Sequence, residues 1–147
     1  VKVNHVEKKQ ERIILVTNKN IYNILPKDGF HDFLSSFMKE ARIKRKIPYS
    51  NISGVTMSRH GPEFVIHVIN EHDYRWSSTN LKMKIVQAIC EGYCNLIKKK
   101  MPLYYNDDKT LETFTTTILD LEAGQRKKHV ENPQYVEPEI MNNNSKE

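Results

Sequence analysis

The sequence predicts an α+β domain: antiparallel strands bent into a small barrel or sandwich and capped by a C-terminal α-helix. Three observations carry this expectation. Short β-branched and aromatic runs recur between turn residues, the pattern of an antiparallel meander. Leu81 to Lys100 places apolar residues at helical spacing. A chain of 147 residues with 38% hydrophobic residues can also bury a core of its own. An amphipathic helix is unstable alone, so its apolar stripe must cover something, and the open end of a curved sheet is the economical choice. Other small barrels capped by a helix satisfy the same pattern.

Val1 to Asn4 reads as extended and leads into the polar, basic stretch His5 to Glu11. Arg12 to Thr17 (RIILVT) is a β-branched strand, expected to be buried on both faces. Asn18-Lys19-Asn20 turns the chain, since Asn tolerates left-handed backbone, and Ile21 to Leu25 completes a hairpin. Pro26 to Gly29 breaks the sheet. Phe30, Phe33, Leu34, Phe37 and Met38 then fall at helical spacing, so a short amphipathic helix is expected within 30–41. Arg42, Lys44 and Lys46 alternate with Ile43, Arg45 and Ile47, giving a strand one basic face with cations about 7 Å apart. Pro48 ends it.

Ile52 to Ser58, Glu63 to Ile69 and Asp73 to Trp76 follow as strands, with His67 as a hydrogen-bonded structural residue and Tyr74 and Trp76 as core. Ser77 to Asn80 offers N-cap residues for the helix over Leu81 to Lys100. Its stripe is Ile85, Val86, Ile89, Cys90, Tyr93, Leu96 and Ile97. Lys98, Lys99 and Lys100 complement the helix dipole, and Pro102 stops it. Leu103 to Tyr105 is apolar enough to dock on the domain. Thr110 to Leu121 leans toward strand on its Thr and Ile content. From about Ala123 the chain is polar, and Met141 to Glu147 is expected to be disordered. The expected organisation is one domain over 1–105, with a helical insertion at about 30–41, followed by an extended, partly disordered tail over 106–147.

Net charge is +5, from 23 basic and 18 acidic residues. This excess favours anionic partners. The absence of a recognised nucleic-acid motif ranks nucleic acid last among them. Cys90 and Cys94, one helical turn apart, suit neither a framework disulfide nor a complete metal site, and read as buried thiols of a reducing compartment. No histidine stands at metal-ligand spacing. The chain opens Val1-Lys2-Val3-Asn4 without an initiator Met or an apolar block behind a basic start, as expected of a piece of a longer protein. Gly-rich phosphate loops, G-x-S-x-G, H-E-x-x-H and C-x-x-C are all missing from the sequence. The expectation is a binding module without catalysis, cofactor or metal.

Three motifs then occur in order. Arg12 to Tyr22 (RIILVTNKNIY) joins a buried strand, Thr-Asn-Lys and Ile-Tyr. Ile47 to Ser58 reads IPYSNISGVTMS, and Phe64 to Val68 reads FVIHV. Together they resemble the tail homology 1 domain of class I myosins, over roughly residues 1–105. The resemblance implies a pleckstrin-homology-like fold and a peripheral membrane-binding role. It further implies that basic residues on the first strand, the loop after it and the second strand hold the phosphates of a phosphoinositide headgroup. Lys2, Lys8, Lys9 and Arg12 are the positions here that fit. The segment 30–41 departs from the family, which joins those strands with a short loop.

Arg42, Lys44 and Lys46 either extend that phosphoinositide-binding surface or guard an exposed strand edge against pairing. Anionic phospholipid headgroups are therefore the expected partner. The rival reading is a lipid-free interaction module in a cytoskeletal or ciliary assembly, with contacts through Phe30, Phe33 and Phe37 or through the tail. The expected location is the cytoplasm, at the membrane or the cytoskeleton.

Overall fold

The computed structural model describes residues 1–4, 7–26, 42–127 and 134–135. Period-two runs become strands: β1 (Lys2–Val3), β2 (Lys9–Gln10), β3 (Ile13–Val16), β4 (Asn20–Leu25), β5 (Arg42–Pro48), β6 (Ile52–Ser58), β7 (Glu63–Val68) and β8 (Tyr74–Ser77). Helix α1 (Lys82–Ile97) follows, then β9 (Pro102–Asn106), the short helix α2 (Ile118–Glu122) and β10 (Gln134–Tyr135). The strands form a seven-stranded sheet, ordered β10-β9-β6-β7-β8-β1-β2, and a three-stranded sheet, β3-β4-β5. The described strands do not close into a barrel, so the fold is the sandwich form of the α+β expectation.

The inner layer is apolar. Ile21 and Ile47 from the small sheet meet Val55, Met57, Phe64, Ile66, Tyr74, Trp76 and Leu103 from the large one, and Val86, Ile89 and Cys90 of α1 close the end. Burial pushes the Cys90 thiol up to about 12. The other face of β6, β7 and β8 is buried as well, because residues 106–127 cross it as a strap. Leu111 and Thr116 are fully buried there, and Ser58 Oγ donates to the Asp108 carbonyl. This is why β7 is buried at all six positions.

Several local expectations are corrected. No residue of the Asn18–Asn20 turn is left-handed; instead the Thr17 hydroxyl accepts from the Lys19 and Asn20 amides, and the left-handed Asn is Asn70 in the β7–β8 turn. All four residues of β3 are half-buried, since β3 is an edge strand. Helix α1 lacks a side-chain cap: Leu81 is its N-cap residue. It ends at Ile97 because Lys98 turns left-handed (φ 62°), four residues before Pro102, and Leu96 is exposed. Leu103 to Tyr105 lies in β9, which pairs parallel to β6. Thr110 to Leu121 is helical where it is regular. Thr117 and Asp120 form a capping box that starts α2, and this local bonding overrides a weak strand propensity. The helix expected at 30–41 and the disorder expected at 141–147 lie outside the described residues.

Helix α1 is seated by a glycine. A Cβ on Gly92 would stand 2.1 Å from the Tyr49 hydroxyl oxygen, and Tyr49 is fully buried with that hydroxyl donating to the Thr17 carbonyl. Burial pushes the Tyr49 phenol up to about 12, so it stays a donor. Gly92→Ala gains about 1 kcal/mol of helix propensity. It also forces α1 off the ring, which costs about 2–3 kcal/mol. A net loss of about 1–2 kcal/mol is expected. Urea denaturation checks it: the midpoint should fall with no change in slope.

Candidate anion-binding surface

The hairpin of β1 and β2 pairs Lys2 with Gln10 and Val3 with Lys9, and β1 continues the large sheet by pairing Lys2 with Trp76. Alternation then assigns faces. Lys2 and Gln10 lie on the inner face with Tyr74 and Trp76, and Lys9 lies on the outer one. On the inner side three cations converge at the mouth between the two sheets. Lys2 Nζ stands 5.1 Å from the Tyr74 ring centroid, and the Arg45 guanidinium carbon stands 4.4 Å from it. Burial, then Arg12 and Arg45, lower the Lys2 pKa, so the three charges feel one another. Arg12 donates to the Glu11 carbonyl (2.7 Å) and the Gln10 amide oxygen (3.3 Å), neither of which neutralises it.

Arg45 is held harder. It donates to Glu71 Oε2 (2.7 Å) and the His72 carbonyl (2.8 Å), and its Nη1 lies 3.1 Å from His72 Nε2. His72 is half-buried, and its pKa is lowered to about 4 by burial, then by Arg45 and Lys2, against opposition from Glu71 and Asp73. It is therefore neutral near pH 7 and accepts from Arg45.

The predicted residues divide into separate groups. Lys2 and Arg12 come together, joined by Arg45, which alternation in the sequence had set apart from the basic row. Lys8 and Lys9 are exposed on the hairpin. Lys44 and Lys46 are exposed on β5, where a bulge between Asn23 and Ile24 leaves Lys44 without a cross-strand partner. Among the described residues none of these four lysines forms an ion pair. Arg42 begins β5.

Sequence reasoning missed what holds the hairpin. Arg75, 4% exposed, grips Glu63 with two bonds (2.8 and 2.9 Å) and also bonds Glu7, the residue at the left-handed turn of the hairpin (φ 58°). Burial alone would lower the Arg75 pKa, but the bonds to Glu63 and Glu7 hold it above its ordinary value. Glu63 also accepts from the Leu111 amide of the strap (2.7 Å). Beside it, Asp73 accepts from His67 Nδ1, the Val68 amide and the Thr116 amide at 2.9–3.1 Å, while His67 Nε2 meets the Thr56 hydroxyl at 2.6 Å. Asp73, His67 and Thr56 have the order of a proton relay, but all three are buried. They act as struts between sheet and strap, in line with the structural role expected of His67. The signal available in the sequence was the polar residues at alternate positions of an otherwise apolar strand. Their partners, 43 to 48 residues further on, were not visible.

Among the described residues no cluster of His, Cys, Asp and Glu could hold a metal ion, and no helix is long and apolar enough to cross a membrane. A family model described as "Unconventional myosin tail, actin- and lipid-binding" matches residues 1–144. A relative described as myosin IA heavy chain, from Dictyostelium discoideum, is 38% identical over 104 residues, covering 67% of this chain and 10% of the relative. The chain thus spans about a tenth of the length of that curated relative. No solved structure matches.

Two outcomes are expected. Arg75→Ala leaves Glu63 buried and unpaired, and should cost about 3–5 kcal/mol in urea denaturation. Glu7→Gln, at the exposed end of the same network, should cost less than about 1 kcal/mol while speeding hydrogen exchange at the Lys8 amide. His72 sets a pH dependence. Its folded pKa of about 4 lies below the ordinary 6.5, so the unfolded chain binds the proton more readily. The stability from the neutral ring is complete above pH 6.5 and is lost as pH falls toward 4. With allowance for solvent screening the loss is on the order of 1 kcal/mol. The stability difference between His72→Gln and the natural chain, measured across that range, should track this loss.

Proposed function

The chain belongs to the unconventional-myosin tail family and is a non-enzymatic binding module of that kind; we propose that it docks on membranes carrying phosphoinositides. On this reading the two sheets and α1 form a pleckstrin-homology-like module, the membrane-facing tail of a motor protein in the cytoplasm. The observation that carries the proposal is the convergence of Lys2, Arg12 and Arg45 at the mouth between the sheets, where Arg45 is ion-paired to Glu71 and, among the described residues, Lys2 and Arg12 form no ion pair. Like charges held together at a protein surface cost free energy unless an anion takes up their field. A phosphate ester does so, and Arg12 can grip it in bidentate fashion.

Lys8 and Lys9, and on the other sheet Lys44 and Lys46 with Arg42, supply the wider field. Each Lys or Arg near an anionic leaflet adds about 1 kcal/mol. Attraction is therefore first electrostatic and long-range, then local through phosphate hydrogen bonds. Salt weakens the first stage most.

A second reading is a cytoskeletal partner, favoured by the words "actin- and lipid-binding" in the family's description. Phe30, Phe33 and Phe37, or the tail, would carry it, and they lie outside the described residues apart from part of the tail. Neither match points to a cilium.

Reversal of Lys8, Lys9 and Arg12 to Glu is expected to abolish sedimentation with phosphatidylinositol bisphosphate vesicles. Reversal of Lys44 and Lys46 should weaken it about tenfold or more, on two lost leaflet contacts. Unchanged sedimentation after the triple reversal would overturn the proposal.

A further inference from the structure

His72 stands where three elements bring charge. Arg45 of β5 donates to its ring, Lys2 of β1 and Arg45 both stand over the Tyr74 ring, and Glu71 and Asp73 flank it in its own turn. Arg126 of the strap donates to the Glu71 carbonyl, and Lys127, Asp120, Glu7 and Glu112 line the same pocket of ≈ 290 Å³ as His72. In the neutral state the ring nitrogen facing Arg45 accepts a hydrogen bond. A proton there would set N–H against guanidinium at 3.1 Å. That repulsion disappears if an anion sits among the cations and accepts from both.

We propose that His72 is the proton-accepting member of the anion site: a polyanionic ester seated among Lys2, Arg12 and Arg45 draws one proton from solvent onto the His72 ring, so that binding tightens in mild acid. The inference rests on the phosphoinositide reading above and deepens it. No bond other than N–H forms, and the proton comes from water or buffer. Burial, then Arg45 and Lys2, lower the unliganded ring to about 4, and an anion that cancels Lys2 and Arg45 raises it from there toward the ordinary 6.5. Linkage then gives tighter binding on going from about pH 7.5 to about pH 5.5, by at most about tenfold, with a fraction of a proton taken up per anion.

Phosphate itself titrates near pH 6 and would mask the effect. The test therefore uses inositol hexakissulfate, which stays fully charged, in calorimetry with two buffers of different ionisation enthalpy. Phosphatidylcholine vesicles doped with phosphatidylinositol bisphosphate form the lipid arm. The natural chain should bind the sulfate ester more tightly at the lower pH, by up to about tenfold, with proton uptake. His72→Gln, which can still accept from Arg45, should lose the rise between about pH 7.5 and about pH 5.5.

An equal rise in His72→Gln, or no proton uptake by the natural chain, would overturn the inference. Independently of that variant's folding, Lys2→Gln should move the His72 NMR titration upward in the unliganded protein; an unmoved midpoint also counts against it. Vesicle binding without a His72-dependent rise defeats the inference alone. Binding of neither vesicles nor sulfate ester at either pH defeats the underlying reading. A His72-dependent rise with the sulfate ester but no vesicle binding supports the inference with a soluble polyanion as the ligand.

Discussion

The buried guanidinium of Arg75 is the constraint on which the rest of the molecule depends. A charge with 4% exposure is tolerable only when fully paired, and three parts of the chain supply the pairing. Glu63 comes from the neighbouring strand, Glu7 from the hairpin turn, and the strap approaches through the Leu111 amide that shares Glu63. Removing any one leaves polar groups unsatisfied inside the protein. The network therefore fixes the hairpin and the strap to the same face of the large sheet. Asp73, with His67 and the Thr116 amide, repeats the arrangement one strand position away.

Opposite consequences follow on the other face. The hairpin is anchored on its outer side, so its inner side is held in place, with Lys2 over Tyr74 and Arg12 close by. The small sheet brings Arg45 to the same ring. Here Arg45 is ion-paired to Glu71, while among the described residues Lys2 and Arg12 form no ion pair. The outer network pairs its buried charges, whereas the inner mouth brings cations together at the surface. A neutral His72 follows first from burial and then from Arg45 and Lys2. The first arrangement gives rigidity, and the second gives affinity for an anion.

Much of the architecture could be read from residue patterns. RIILVT and IYNIL announced a hairpin, ISGVTMS and EFVIHVI a pair, and the stripe through Val86, Ile89 and Cys90 a core helix. Those signals are local, because side-chain period reports directly on which face is buried. Boundaries set by tertiary contacts were less legible. Lys98 ends α1 by turning left-handed, and Thr117 starts α2 through a capping box, where composition had pointed to Pro102 and to a strand. Gly92 gave no sign of its role, since its reason is a tyrosine 43 positions earlier that occupies the space of a side chain.

The sequence by itself determined the α+β class, the strand and helix faces, the basic surplus and the family motifs. Each depends on residues within a few positions of one another. Tertiary structure alone decided which cations meet. Lys2, Arg12 and Arg45 belong to three separate segments, and Arg45 occupied the other side of its strand from Lys44 and Lys46. It reaches Lys2 because the two sheets stack with that side inward. Charge convergence depends on how sheets face one another, and no period in a single strand encodes it.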